Sequence, residues 1–88
     1  MRQVSRVVSP PMKVVFFTRP GCHLCDDARA VLLMERERTA FELQEIDIET
    51  DDALVHEYGL RIPVVVVDGE EAFEYSVDAE EFAARLHT

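Results

Sequence analysis

Cys22 and Cys25 are the only cysteines in the chain, and His23 and Leu24 separate them. A Cys-x-x-Cys pair has the spacing of a dithiol that closes to a disulfide and opens again. Two intervening residues let both sulfurs meet across the first turn of a helix. The local sequence predicts that helix start. Val14-Val15-Phe16-Phe17 is an apolar, strand-like run, Pro20-Gly21 breaks it, and Asp26 to Arg38 carries a helical pattern. The two thiols then meet unlike surroundings. The first lies where unpaired backbone N–H groups and the helix dipole favour negative charge. The second lies nearly one turn inside. The thiolate is the attacking species in disulfide exchange, so Cys22 is the expected nucleophile and Cys25 the expected resolving thiol.

Two neighbours are candidate modifiers of that chemistry. Arg19, three residues upstream, is a cation that can assist a Cys22 thiolate. His23, when protonated, would do the same from between the cysteines. A stabilised reduced form raises the reduction potential, by ~30 mV for each ~1.4 kcal/mol in a two-electron couple. Two other readings of the pair compete. Both cysteines can simply pack in the core, or they can bind a metal. Two thiols do not complete a tetrahedral site, and His23, His56 and His87 are scattered in sequence. No resident metal is therefore expected, although a metal or iron-sulfur carrier using Cys22 with an external ligand stays as the alternative function.

The chain has 88 residues, 48% of them hydrophobic, which suffices for one core and one domain. Residues 1–11 read as a flexible arm that Pro10-Pro11 separates from a domain at 12–88. No apolar run approaches the ~20 residues of a membrane span, and the polar amino terminus does not read as a secretory signal. The cytoplasm is the expected compartment, where a cysteine pair is more often catalytic than a structural staple. Acidic residues outnumber basic ones 18 to 9, for a formal charge of -9. That balance argues against nucleic acid as a partner. The expected state is a monomer.

The remaining elements follow from pattern. Met12 to Thr18 reads as a buried strand. Leu24, Ala28, Val31 and Leu32 form one helical stripe. Phe41 to Ile48 reads as a second strand whose alternation slips between Leu43 and Ile46, as at an edge or a bulge. Thr50, Asp51 and Asp52 are candidate caps for a helix through Tyr58, which Gly59 would stop. Tyr58 and Tyr75 read as partly buried packing residues. Pro63 to Val67 is a continuous apolar run, as in a strand covered on both faces. Asp68-Gly69 signals a hairpin into a fourth strand ending near Tyr75. A last helix begins at Asp78, with Glu81 at capping-box spacing and Val77 and Phe82 as a staple. The expected fold class is α/β, a four-stranded mixed sheet with three helices in the order β-α-β-α-β-β-α.

That order, with Cys-x-x-Cys opening the first helix and Ile62-Pro63 opening the third strand, resembles the thioredoxin fold in its glutaredoxin form. Thr18-Arg19-Pro20-Gly21-Cys22-His23-Leu24-Cys25-Asp26 is similar to a glutaredoxin-like group of small bacterial proteins. The resemblance covers roughly residues 12 to 87. It implies a thiol-disulfide oxidoreductase with Cys22 as nucleophile and Cys25 as resolver. It also implies a cis peptide at Ile62-Pro63 facing the pair, which would expose the Ile62 backbone to an extended substrate, and it places Arg19 where many glutaredoxins help hold glutathione. The implied partners are a protein or small-molecule disulfide and a thiol reductant in trans, either glutathione or a thioredoxin-type system, with no tightly bound cofactor. The chain departs from the glutaredoxin pattern at Arg61, where threonine is common, and at Phe73-Glu74-Tyr75-Ser76, which lacks the glycine pair that approaches glutathione. Glutathione is accordingly expected to be a poor partner.

Overall fold

In a computed structural model the described residues are 12–87. The expected arm at 1–11 lies outside them. The elements are β1 (Lys13–Thr18), α1 (His23–Arg36), β2 (Glu42–Asp47), a 3-10 turn (Ile48–Thr50), α2 (Asp52–Tyr58), β3 (Val64–Val67), β4 (Glu70–Glu74) and α3 (Ala79–Leu86). The sheet order is β2-β1-β3-β4. β1 and β2 run parallel, joined by α1, while β3 is antiparallel to both β1 and β4. The class, the mixed sheet and the element order agree with the sequence reading.

Strand alternation divides the core into two layers. Val14 and Phe16 of β1, with their partners Val67 and Val65 of β3, face α1 and α3. Val15 and Phe17, with Val66 and Val64, face α2. The all-valine β3 is thus apolar because both of its faces are covered. Phe82 of α3 sits edge-on to Phe41 and Phe73 in the first layer. Phe17 stacks on Tyr58 at 4.2 Å in the second. Complete burial of side chains such as Phe16, Leu32 and Phe82 is worth roughly 1.5–3 kcal/mol each.

Several local expectations change. α1 opens at His23 between the cysteines, and Cys25 lies in the buried stripe with Ala28 and Leu32, whereas Leu24, expected in that stripe, is 49% exposed. β2 is an edge strand, as read, but it pairs with β1 in unbroken register. Its slipped alternation has another cause. Glu45 occupies an α1-facing position opposite Phe16, and Arg29 of α1 reaches across to pair with it while lying 5.5 Å from the Phe16 ring centroid. The bulge lies instead between β3 and β4, where Ala72 is the extra residue between the Val65–Phe73 and Val66–Glu71 pairs. Gly59 ends α2 with an ordinary helical φ of -56°, and a Cβ there would come 2.5 Å from the Val55 carbonyl oxygen. Asp51 caps α2 and Asp78 caps α3 by accepting from Ala53 and Glu81 backbone N–H groups, and Val77 packs in the same layer as Phe82. Asp68 and Gly69 take φ of 51° and 87°, the signs required of a tight two-residue hairpin turn.

Candidate redox site

The cysteine pair sits where β1 hands over to α1. Cys22 is the N-cap residue, extended at φ -101° and ψ 111°, and its Sγ accepts from the Cys25 backbone N–H at 3.1 Å. A sulfur thus satisfies one of the donors that every helix start leaves unpaired. Both thiols are free. Cys22 is partly exposed, whereas Cys25 is completely buried among Phe16, Ala28 and Leu32. Burial is the main force pushing the Cys25 thiol above its ordinary range, and the adjacent Cys22 adds to it. The Thr18 hydroxyl and the backbone amide of Arg19 pull the other way. Cys22 is therefore partly open to solvent, and Cys25 is closed off from it.

His23 is the first residue of α1 and is exposed. The Arg19 guanidinium is engaged with Glu49, at 3.1 Å for the ion pair. Ile62-Pro63 is cis. Ile62 packs against the layer that contains both cysteines, and Pro63 is fully buried. The cis segment is tied to the end of β4, because the Tyr75 N–H donates to the carbonyls of Pro63 and Arg61 at 2.9 and 3.3 Å. Tyr75 is 49% exposed rather than packed, and its φ is 71°, a left-handed value that glycine takes at lower cost. The turn shape that a glycine would supply is therefore made without one.

Two features escaped the sequence reading. Arg61, singled out only as a departure, is the hub of an ion-pair cluster with Glu57, Glu71 and Glu74. Glu71 and Glu74 hold the Arg61 guanidinium protonated more firmly than usual, and Arg61 holds the Glu71 carboxyl below the ordinary range. Thr18 is buried, and although its hydroxyl is near enough to act on the Cys25 thiol, it has no partner in hydrogen-bonding geometry among the described residues. Its place at the end of an alternating strand, in phase with Val14 and Phe16, was the available signal. Beside the loop, Arg19, Arg29, Asp26 and Asp47 border a shallow cleft of about 180 Å³. Among the described residues no group of three or more His, Cys, Asp or Glu side chains is arranged to hold a metal ion, and no helix is long and apolar enough to cross a membrane.

A mixed four-stranded sheet of this order, with a cysteine pair at the first helix start and a cis-proline before the third strand, defines a thioredoxin-fold protein. A thioredoxin from Halobacterium salinarum superposes with a TM-score of 0.66 over 89% of this chain and 74% of its own, at 24% identity, a likeness of fold. The chain belongs to the glutaredoxin-like domain family (DUF836), whose model matches residues 13–87. A Dictyostelium discoideum glutaredoxin-like protein is 29% identical over 83 residues, which are 88% of this chain and 77% of that one. An uncharacterised Mycobacterium tuberculosis protein is 30% identical over 79 residues, 84% of this chain and 81% of its own. A Nitrosomonas europaea protein solved in solution has a TM-score of 0.76 at 32% identity, covering 91% of this chain and 96% of that one.

Proposed function

We propose that this protein is a thiol-disulfide oxidoreductase working through the Cys22/Cys25 couple. The observation that carries the reading is the unequal exposure of two thiols that share one helix start. Cys22 is partly exposed at a helix N-cap, and Cys25 is buried one turn in and bonded back to it through its N–H. Cys22 Sγ, as thiolate, attacks one sulfur of a substrate disulfide, and the other half leaves as a thiolate that takes up a proton. Cys25 then attacks Cys22 Sγ in the mixed disulfide. The second half is released, and the two electrons gained by the substrate come from the two cysteine sulfurs, which are oxidised as the Cys22–Cys25 bond forms. A thiol reductant in trans returns the pair to the dithiol.

The identity of that reductant is open to argument from charge. Glutathione is anionic. Three carboxylates surround the single Arg61 guanidinium beside the cis-proline, and Glu49 occupies Arg19. This disfavours glutathione and supports a neutral or basic disulfide as substrate. The test is a pair of coupled assays, one supplying glutathione with its reductase, the other thioredoxin reductase. Turnover in at least one is expected, faster with the second. A protein that forms no Cys22–Cys25 disulfide under either regime, or that purifies with stoichiometric metal or a coloured cluster, overturns the reading in favour of a carrier.

A further inference from the structure

Thr18 Oγ1 is a buried side-chain polar atom for which the described residues provide no hydrogen-bond partner. The residue is 4% exposed. An orphaned hydroxyl destabilises a fold, so its presence in a strand that otherwise points Val14 and Phe16 inward asks for a reason. Thr18 closes β1 in phase with those two residues, and it therefore projects toward α1, into the layer that holds Cys25, Ala28 and Leu32. The groups acting on the Cys25 sulfur are few. Cys22 approaches from its own helix turn, and the Thr18 hydroxyl and Arg19 amide approach from β1 and its exit. The hydrophobic cluster that holds Cys25 draws its other members from apolar residues, among them Val65 and Val67 of β3, Phe82 and Leu86 of α3, and Ile62 of the cis-proline segment.

A thiol is a weak acceptor, whereas a thiolate is a strong one. That difference explains a hydroxyl with no partner in the reduced protein. We propose that Thr18 stabilises the resolving step by donating its hydroxyl hydrogen bond to Cys25 Sγ when that sulfur becomes the attacking thiolate. The proposal rests on the dithiol reading above. In the step itself, Cys25 Sγ forms a bond to Cys22 Sγ, and the bond between Cys22 Sγ and the substrate sulfur breaks. The electron pair of the broken bond leaves with the substrate thiolate, which takes up, through solvent, the proton that Cys25 gave up. Thr18 keeps its own proton throughout.

The experiment uses reduced full-length protein and one equivalent of 5,5′-dithiobis(2-nitrobenzoate). The first thionitrobenzoate release reports attack by Cys22, and the second reports resolution by Cys25. In Thr18→Val the second phase should slow roughly tenfold, about the worth of a hydrogen bond to a charged group. Its pH profile should move to higher pH while the first phase is unchanged. Thr18→Ser should restore both. The melting temperature of Thr18→Val should equal or exceed that of the wild type, since an orphaned hydroxyl has been removed, and a merely structural threonine would give the opposite. Thr18→Ala gives a second test should valine repack the layer. A wild type that makes two releases, beside Val and Ala variants with unaltered second phases, overturns this proposal alone. A wild type that makes only the first release overturns the dithiol reading as well.

Discussion

The Cys25 backbone N–H donates to Cys22 Sγ at 3.1 Å, so the residue expected to attack is also the residue that caps its own helix. Structure and chemistry can be separated at this position. Serine keeps a side-chain acceptor at the N-cap, while alanine removes it at a cost of about 1 kcal/mol. Cys22→Ser should melt close to the wild type and Cys22→Ala lower, yet both should lose disulfide reduction completely. Cys25→Ser should instead accumulate a mixed disulfide through Cys22, visible by mass spectrometry. Labelling of Cys25 before Cys22 by an alkylating agent at mildly acidic pH would reverse the assigned roles.

Burial raises the Cys25 thiol above its ordinary value of 9.0, and this makes reduced-state stability depend on pH. The unfolded chain releases this proton at lower pH than the folded protein does. Stability from this group is therefore fully present below pH 9 and declines as pH rises through the folded value. Comparing urea midpoints of reduced wild type and Cys25→Ser from pH 7 to 11 isolates the effect. The wild type should lose its advantage progressively above pH 9. A constant difference across that range would refute the burial argument.

Arg61 lowers the Glu71 carboxyl below its ordinary 4.5, a contribution of the opposite pH sense. It is present above the unfolded value and lost as pH falls through the folded one. Arg61→Thr should therefore lower the melting temperature slightly at pH 7 and leave it unchanged well below pH 4. The pairs lie at the surface and are screened, so the effect should be small and should shrink in high salt.

The same carboxylates should act on substrates. Glu74→Gln removes one negative charge from beside the cis-proline segment without removing the side chain. Turnover of an anionic disulfide such as oxidised glutathione should rise, while that of an uncharged peptide disulfide should stay level. The gain should fade in salt. Equal changes for both substrates would show that charge is not what selects.

Arg29 joins α1 to β2 through Glu45 and covers the Phe16 ring. Arg29→Ala removes an ion pair, a cation–π contact and apolar cover together, for an expected loss of about 1–2 kcal/mol. Arg29→Lys should recover part of it. Chemical denaturation at pH 7 measures both, and a loss within 0.3 kcal/mol of zero would mean that Glu45 is simply solvated.

Much of the fold was legible in the chain because its signals are local. The cysteine spacing, the Pro20-Gly21 break, the Asp51 and Asp78 caps, the Asp68-Gly69 turn and the all-valine strand each follow from a few adjacent residues and their backbone preferences. What the sequence did not disclose depends on partners distant along the chain. Glu45 looked like a fault in a strand's alternation until Arg29 was found across from it. Arg61 looked like a departure from a family pattern until Glu57, Glu71 and Glu74 gathered around it from α2 and β4. Tyr75 looked like a packing residue, yet its backbone makes the left-handed turn and its ring faces outward. Thr18 ended a strand unremarkably until the docking of α1 placed Cys25 over it. The sequence determined that two thiols would share a helix start. Its spacing also put Cys25 inside, as the less exposed of the two. Only the tertiary structure decided which polar groups meet it, because long-range contacts are set by how the helices close over the sheet.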